Sequence, residues 1–219
     1  MVSGRQERWG LVLAGGDGLR LRSLTRRLVG DDRPKQFCPV LGPTTLLEET
    51  QRRVALAIPR DHTLTIVTRT HERFYRPLLA DAVPWSVIVQ PGNRGTAPAL
   101  LYALLRLAAR TPMAPVAVFP CDHFVSDDAV FMGHVETAFA AVRSRPELVI
   151  LLGMTPDRAE VDYGWIEPGE PLLAAGGTVI SRVRRFWEKP SEDFARALQR
   201  KGCLWNSFVM VAQLTAFLA

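Results

Sequence analysis

The densest chemical signal lies near the start of the chain, in Leu13-Ala14-Gly15-Gly16-Asp17-Gly18-Leu19-Arg20. Glycines let a backbone approach a ligand closely and turn its N–H groups toward it. Shortly after comes Arg33-Pro34-Lys35-Gln36-Phe37, where a proline fixes the approach of a lysine. Arg20 and Lys35 together could neutralise a triphosphate. Phosphoryl and nucleotidyl transfers need such placed cations, because an anionic nucleophile and an anionic electrophile repel. Two familiar glycine motifs do not fit. Leu21 stands where the dinucleotide fingerprint needs its third glycine, and no Gly-Lys-Ser/Thr completes a Walker loop. Read alone, the two segments are equally a bare glycine turn and a surface Pro-Lys turn.

The elements that must hold these residues follow a regular rhythm. Apolar runs of strand length fall at 9–13, 64–68, 87–90, 116–119 and 148–153. Between them lie amphipathic stretches of helix length at 46–57, 72–80, 97–109 and 128–142. Continuous apolar strands alternating with helices predict a parallel sheet covered on both faces. After Gly153 the segments shorten (164–167, 179–188, 204–212) and are broken by Pro and Gly, which predicts a mixed or antiparallel extension. A helix is expected over 191–200 with Ser191 as its cap, and 213–219 looks helical. The expected fold is α/β: a Rossmann-like three-layer sandwich on a mostly parallel, mixed sheet. Asp122 then falls at the carboxyl edge of that sheet, where ligands of open α/β sheets bind. A carboxylate there can hold Mg²⁺, and it can equally cap a turn.

Composition narrows the function classes. The 219 residues are 47% hydrophobic and 22% charged, ordinary globular values that exclude a disordered or fibrous chain. The longest apolar runs, such as 148–152, are too short to span a bilayer, and the polar start, 1–8, has no signal-peptide core after it. The expectation is a cytoplasmic protein with no membrane partner. Cys38, Cys121 and Cys203 are widely spaced, which reads as buried packing rather than disulfides or zinc. The net charge is +5, and the surplus gathers in 1–35, where no basic track interleaved with aromatics appears. A concentrated phosphate site fits that pattern better than nucleic acid.

With these residues in view, the chain resembles the sugar-1-phosphate nucleotidyltransferase family, and within it the mannose-1-phosphate guanylyltransferase branch. The resemblance is carried by Gly15-Gly16-Asp17-Gly18-Leu19-Arg20, by Pro34-Lys35-Gln36-Phe37, and by the stretch from Gln90-Pro91 through Arg94-Gly95-Thr96-Ala97-Pro98-Ala99. It continues in Pro120-Cys121-Asp122-His123, Phe186-Trp187-Glu188-Lys189-Pro190 and Trp205-Asn206-Ser207. Six motifs in one order, over roughly 9–212, are specific where each alone is weak.

The resemblance implies transfer of GMP from GTP to mannose 1-phosphate, giving GDP-mannose and pyrophosphate. Leu13, Ala14, Gly15, Gly16 and Gly18 would hold the nucleotide, and Arg20 and Lys35 would contact its phosphates as the catalytic cations. Gln90, Asn93, Gly95 and Thr96 would line the base pocket, although the last two also read as a plain helix start with Thr96 as cap. Tyr163, Gly164, Glu188, Lys189 and Asn206 would bind the sugar phosphate, although Glu188-Lys189 also reads as an exposed charge pair. Asp122 would carry Mg²⁺, the expected cofactor, with His123 in support. The partners implied are GTP and a sugar 1-phosphate, with a homodimer left open.

The chain also departs from the pattern. Leu19 replaces a hydroxyl residue, Arg22-Ser23 a Trp-Pro, and Asp162 and Phe208 two glycines. No second metal-binding aspartate follows before Ala219. The expectation is therefore one catalytic domain over 1–219, cut short at its C-terminus. Two other readings stay open: the same chemistry on another base or sugar, and a nucleotide-binding regulatory homologue without turnover.

Overall fold

The computed structural model describes residues 8–40 and 42–219. The polar start read from the sequence lies, apart from Arg8, outside the described residues. Among the described residues, eight strands form one sheet. Its first part is parallel: β1 (Trp9–Leu13) lies between β2 (Thr63–Thr68) and β4 (Pro115–Pro120), and β3 (Val87–Gln90) flanks β2. β1, β2 and β4 are buried on both faces, so their apolar residues run without alternation, whereas β3 at the edge leaves Val89 exposed. Leu11, Ile66 and Val118 pack into one core with Ala103, Leu104 and Leu107 of α4 (Thr96–Ala108). Val12, Val67 and Phe119 face the other way, into a core with Leu47 and Val54 of α2 (Leu46–Val54) and Val135 and Phe139 of α5 (Asp128–Ser144). Helices therefore cover both faces, as expected for a three-layer sandwich.

Local chemistry starts these helices. Thr45 and Glu48 form a reciprocal capping box on α2, and Asp127 accepts from the Val130 N–H at the start of α5. Two cap expectations fail. The residue before α4 is Gly95, with φ 90°, and Thr96 is already helical. Ser191 precedes α6 (Glu192–Arg200), but its hydroxyl makes no capping bond. Helix α1 (Arg22–Val29) is not expected from the sequence: it is short and arginine-rich, and only Thr25 in it is buried. α3 (Glu72–Leu78) and the terminal α7 (Leu214–Leu218) fall where helices are expected.

The second part of the sheet is antiparallel. β8 (Leu204–Gln213) pairs β4 on one side and β5 (Val149–Met154) on the other, and its start pairs β6 (Gly164–Ala175). β6 and β7 (Thr178–Glu188) form a long hairpin at the sheet edge. β6 runs well past the expected end at Glu167. The register shifts at Pro168 and Pro171. Proline removes a ladder donor, which is tolerated at bulges and where no strand lies alongside. β8 pairs β6 only at Trp205 and Leu204, so both prolines sit beyond that pairing.

Candidate nucleotide site

The carboxyl ends of β1, β2, β3 and β4 converge on a cavity of about 760 Å³. Leu13, Gly15, Gly16, Asp17, Gly18 and Arg20 line it from the loop after β1. Lys35 and Gln36, then Gln90, Asn93, Gly95 and Thr96, then Asp122 complete its walls. The residues expected around a nucleotide are thus brought together, with one exception. Ala14 is fully buried and does not line the cavity. Its N–H donates to the Ile66 carbonyl at 2.8 Å and anchors the loop to β2.

The loop has a consistent backbone polarity. The carbonyls of Ala14 and Gly16 both accept from the Gln36 side-chain amide, at 3.0 and 2.6 Å. The Gly15 carbonyl accepts from the Thr68 hydroxyl at 2.8 Å, and the Gly18 carbonyl from the Leu21 N–H at 3.1 Å. Among the described residues, the N–H groups of Gly15, Gly16, Asp17 and Gly18 donate to no protein acceptor. A run of amides with its carbonyls turned away is an anion cradle. Gly18 has φ 60°, a conformation open to glycine. At Gly15 a Cβ would sit 2.7 Å from the Gln90 amide nitrogen and 3.0 Å from the Thr68 hydroxyl, so Gln90 lies flush against the loop.

Charge is placed around this cradle. Lys35 opens a short 3₁₀ turn after Pro34, and its Nζ lies 2.6 Å from an Asp122 carboxylate oxygen. Arg20 is far more exposed and pairs with Asp162 at 3.3 Å across the cavity mouth. The His123 imidazole lies 3.7 Å from Asp122. Burial holds its pKa below the ordinary histidine value, with Lys35 and Arg53 pushing the same way against Asp122. A neutral imidazole fits a supporting role there.

Among the described residues, no three His, Cys, Asp or Glu side chains are placed to hold a metal ion together. Asp122 offers a single carboxylate. That donor set fits one mode, in which Mg²⁺ keeps its waters and takes its other ligands from phosphates.

The chain matches the nucleotidyl transferase family over residues 9–218. It belongs to that family. Among its relatives is the xanthan biosynthesis protein XanB of Xanthomonas campestris pv. campestris, 30% identical over 212 residues. A mannose-1-phosphate guanylyltransferase of Escherichia coli is 30% identical over 202 residues. The alignments cover 95% and 90% of this chain but only 42% and 41% of those proteins. The chain therefore spans about two fifths of the curated relatives it matches. A solved mannose-1-phosphate geranyltransferase from Thermus thermophilus superposes with a TM-score of 0.81 at 34% identity, covering 96% of this chain and 58% of that one.

The residues expected on the sugar side gather elsewhere. Gly164 pairs across the hairpin with Glu188, and Tyr163 meets the Trp205 ring edge-on at 5.2 Å. Glu188 and Lys189 are exposed, 4.0 Å apart, and Lys189 has φ 44°. Neither these residues nor Asn206 line the 760 Å³ cavity. Asn206 spends its side-chain oxygen on the Phe208 N–H at 3.0 Å, inside a bulge of β8. The two groups meet through Asp162, which precedes Tyr163 and holds Arg20, and through Phe208, which reaches the cavity wall. A smaller cavity of about 380 Å³, lined by Glu167, Arg184, Arg185, Trp187, Phe194 and Lys201, shares no residue with the first.

Several residues of the site carry little signal in the sequence. Gln36 stands out only as part of a motif, and Thr68 gives no sign beyond ending a strand. Asp17 is hidden between the glycines. His71 has no motif, and nothing in one dimension marks it as a neighbour of Asp17.

Proposed function

We propose that this nucleotidyl transferase moves GMP from GTP to mannose 1-phosphate, releasing pyrophosphate and forming GDP-mannose. The observation that carries the reading is the loop after β1, whose Ala14, Gly15, Gly16 and Gly18 carbonyls are held by the protein. Among the described residues its amides at 15–18 are left without a protein acceptor, beside a cavity flanked by Lys35 and Arg20. A triphosphate is the ligand such a cradle suits. The named activities of the E. coli and T. thermophilus relatives support mannose 1-phosphate as acceptor. Guanine is supported by the E. coli name and by Gln90, whose amide offers a donor and an acceptor to a base edge.

In this reading an ionised oxygen of the sugar phosphate attacks the α-phosphorus of GTP. A new P–O bond forms, the bond from the α-phosphorus to the bridging oxygen breaks, and pyrophosphate leaves with that oxygen. The nucleophile carries no proton at neutral pH, so no base is needed. Lys35 leaves Asp122 to meet the phosphates, and Arg20 leaves Asp162. The loop amides hold the triphosphate while Glu188 and Lys189 receive the sugar phosphate. Asp122 would hold Mg²⁺, which supplies further neutralisation of phosphate charge when bound. Catalysis is then positioning and electrostatics.

The test is pyrophosphate release from GTP with mannose 1-phosphate and Mg²⁺. Release that needs both substrates, exceeds that with ATP, UTP, CTP or dTTP, and collapses in Asp122→Asn is expected. Faster release with another triphosphate would remove guanine, and faster release with another sugar 1-phosphate would remove mannose. A second reading is a regulatory homologue, favoured by the Lys35–Asp122 pair that closes off the lone carboxylate. GTP binding without release under any combination would choose it.

A further inference from the structure

We propose that Asp17 is a positioning residue: its carboxylate clasps the glycine loop to the two neighbouring strand ends and so sets the loop's affinity for a nucleoside triphosphate. The proposal rests on the nucleotide reading above. A carboxylate inside an anion cradle repels its ligand unless it is turned aside and occupied. Asp17 is both. One oxygen lies 3.2 Å from Nε2 of His71, just past the end of β2. The other accepts from the Asn93 side-chain amide at 2.8 Å, in the turn after β3. Asn93 in turn accepts from the Gly95 N–H at 3.0 Å, at the start of α4. One chain of polar contacts thus runs across the carboxyl ends of three adjacent strands, with Asp17 at its centre.

His71 fixes the chemistry of that centre. Its side chain is 8% exposed, and its Nδ1 is buried without a partner. To donate to Asp17 the ring must carry its proton on Nε2. A second proton on Nδ1 would bury a donor with no acceptor. Burial accordingly holds the His71 pKa below the ordinary value, and Arg22 adds to this, although Asp17 pulls the other way. The neutral ring also packs edge-on against Phe37 at 6.0 Å, beside the turn that carries Lys35 and Gln36. Gln36 grips the loop from one side through its carbonyls, and Asp17 closes it from the other.

The experiment is calorimetric titration of GTP, ATP, UTP, CTP and dTTP with Mg²⁺ into the wild-type chain, Asp17→Ala, Asp17→Asn, Asn93→Ala and the Asp17→Ala/Asn93→Ala pair. Asp17→Ala should weaken the preferred triphosphate about ten- to thirtyfold, the scale of one or two lost charge-assisted bonds. The loss should appear in the nucleotide KM rather than in kcat or in the sugar-phosphate KM. Asp17→Asn should regain only part of it, because the amide oxygen still accepts from Asn93 while the His71 contact stays lost: moving the ring proton to Nδ1 would bury a donor with no acceptor. The double variant should bind no worse than Asp17→Ala, since both remove one link. If Asp17→Ala does not fold, the remaining variants carry the same comparison. Unchanged or tighter binding in Asp17→Ala, or in both Asp17→Asn and Asn93→Ala, would mean that the carboxylate only repels phosphate, and overturns the clasp alone. A wild-type chain that binds none of the triphosphates overturns the nucleotide reading and the clasp's role in affinity together.

Discussion

The two halves of the sheet treat their candidate residues differently. Around the parallel strands, the glycine loop is held by buried side chains: Gln36 is 3% exposed and Thr68 1%, with Gln90 at 7% packed against it. Around the antiparallel hairpin, Glu188 and Lys189 are more than half exposed and, among the described residues, pair only with each other. The first half is assembled before any ligand arrives, whereas the second leaves ordering to the moment of binding. Preorganised donors lose little freedom when a ligand binds, and free side chains lose more. The difference teaches where substitutions should cost turnover and where they should cost affinity for the second substrate.

The largest effect is expected at Lys35. Replacing it by Ala should lower kcat/KM about 10²- to 10³-fold, the scale of one lost phosphate-stabilising group. Glu188→Gln should cost about tenfold and mainly in the sugar-phosphate KM. Steady-state kinetics with each substrate varied separately reads the split. Equal losses in kcat would mean that the hairpin is as preorganised as the loop.

Next comes a contrast inside the loop. Gly15→Ala places a methyl against the Thr68 hydroxyl, which is bonded to the Gly15 carbonyl, and against the end of the Gln90 side chain, which must shift. It should weaken nucleotide binding at least about tenfold and cost on the order of 1–3 kcal/mol of stability, as overpacking does. Gly16→Ala points into open space and should change binding by less than about threefold, with stability within about 0.5 kcal/mol. Thermal unfolding with and without GTP compares them. Two equal losses would show that the whole loop, and not the Gln90 contact, needs glycine.

The parallel half is also the legible half. Its central strands announce themselves because both faces are buried, so β1, β2 and β4 fall within a residue of the apolar runs that mark them. The motif order places Gln90 and Asp122 at strand ends and Lys35 in a turn, and all three share one cavity. The hairpin reads too short in the sequence, because Pro168 and Pro171 look like strand breakers unless one knows that β8 stops pairing before them. Helix α1 escapes notice because it buries almost nothing. The clasp is invisible for another reason: Asp17, His71 and Asn93 are far apart in sequence and meet only because β1, β2 and β3 lie side by side.

A smaller effect separates the halves at their seam. Phe208 has φ 58°, a left-handed conformation that strains a bulky residue, and it lines the cavity. Phe208→Gly relieves about 1–2 kcal/mol of backbone strain. It gives back a similar amount in lost ring contacts and in glycine's greater unfolded-state freedom. Denaturant unfolding should therefore show a change under about 1 kcal/mol. The sugar-phosphate KM should move while the nucleotide Kd stays within about twofold. A nucleotide Kd that moves further would place the ring in the base pocket and dissolve the seam between the two halves.

The smallest effect is a pH slope that belongs to the parallel half alone. His71 has a folded pKa below its unfolded value, so the native state binds fewer protons than the unfolded one as pH falls. Its contribution to stability is fully present above the unfolded value of about 6.5 and is lost as pH falls from there through the folded pKa. Urea unfolding from about pH 7.5 down should show stability falling below about pH 6.5. His71→Gln should flatten part of that slope, since the amide can still donate to Asp17 but cannot gain a proton. Because Asp17 raises the His71 pKa in the native state, Asp17→Ala should steepen the slope rather than flatten it. An unchanged slope in both variants would mean that His71 and Asp17 do not sense each other, and the parallel half would then be packed together but not electrostatically joined.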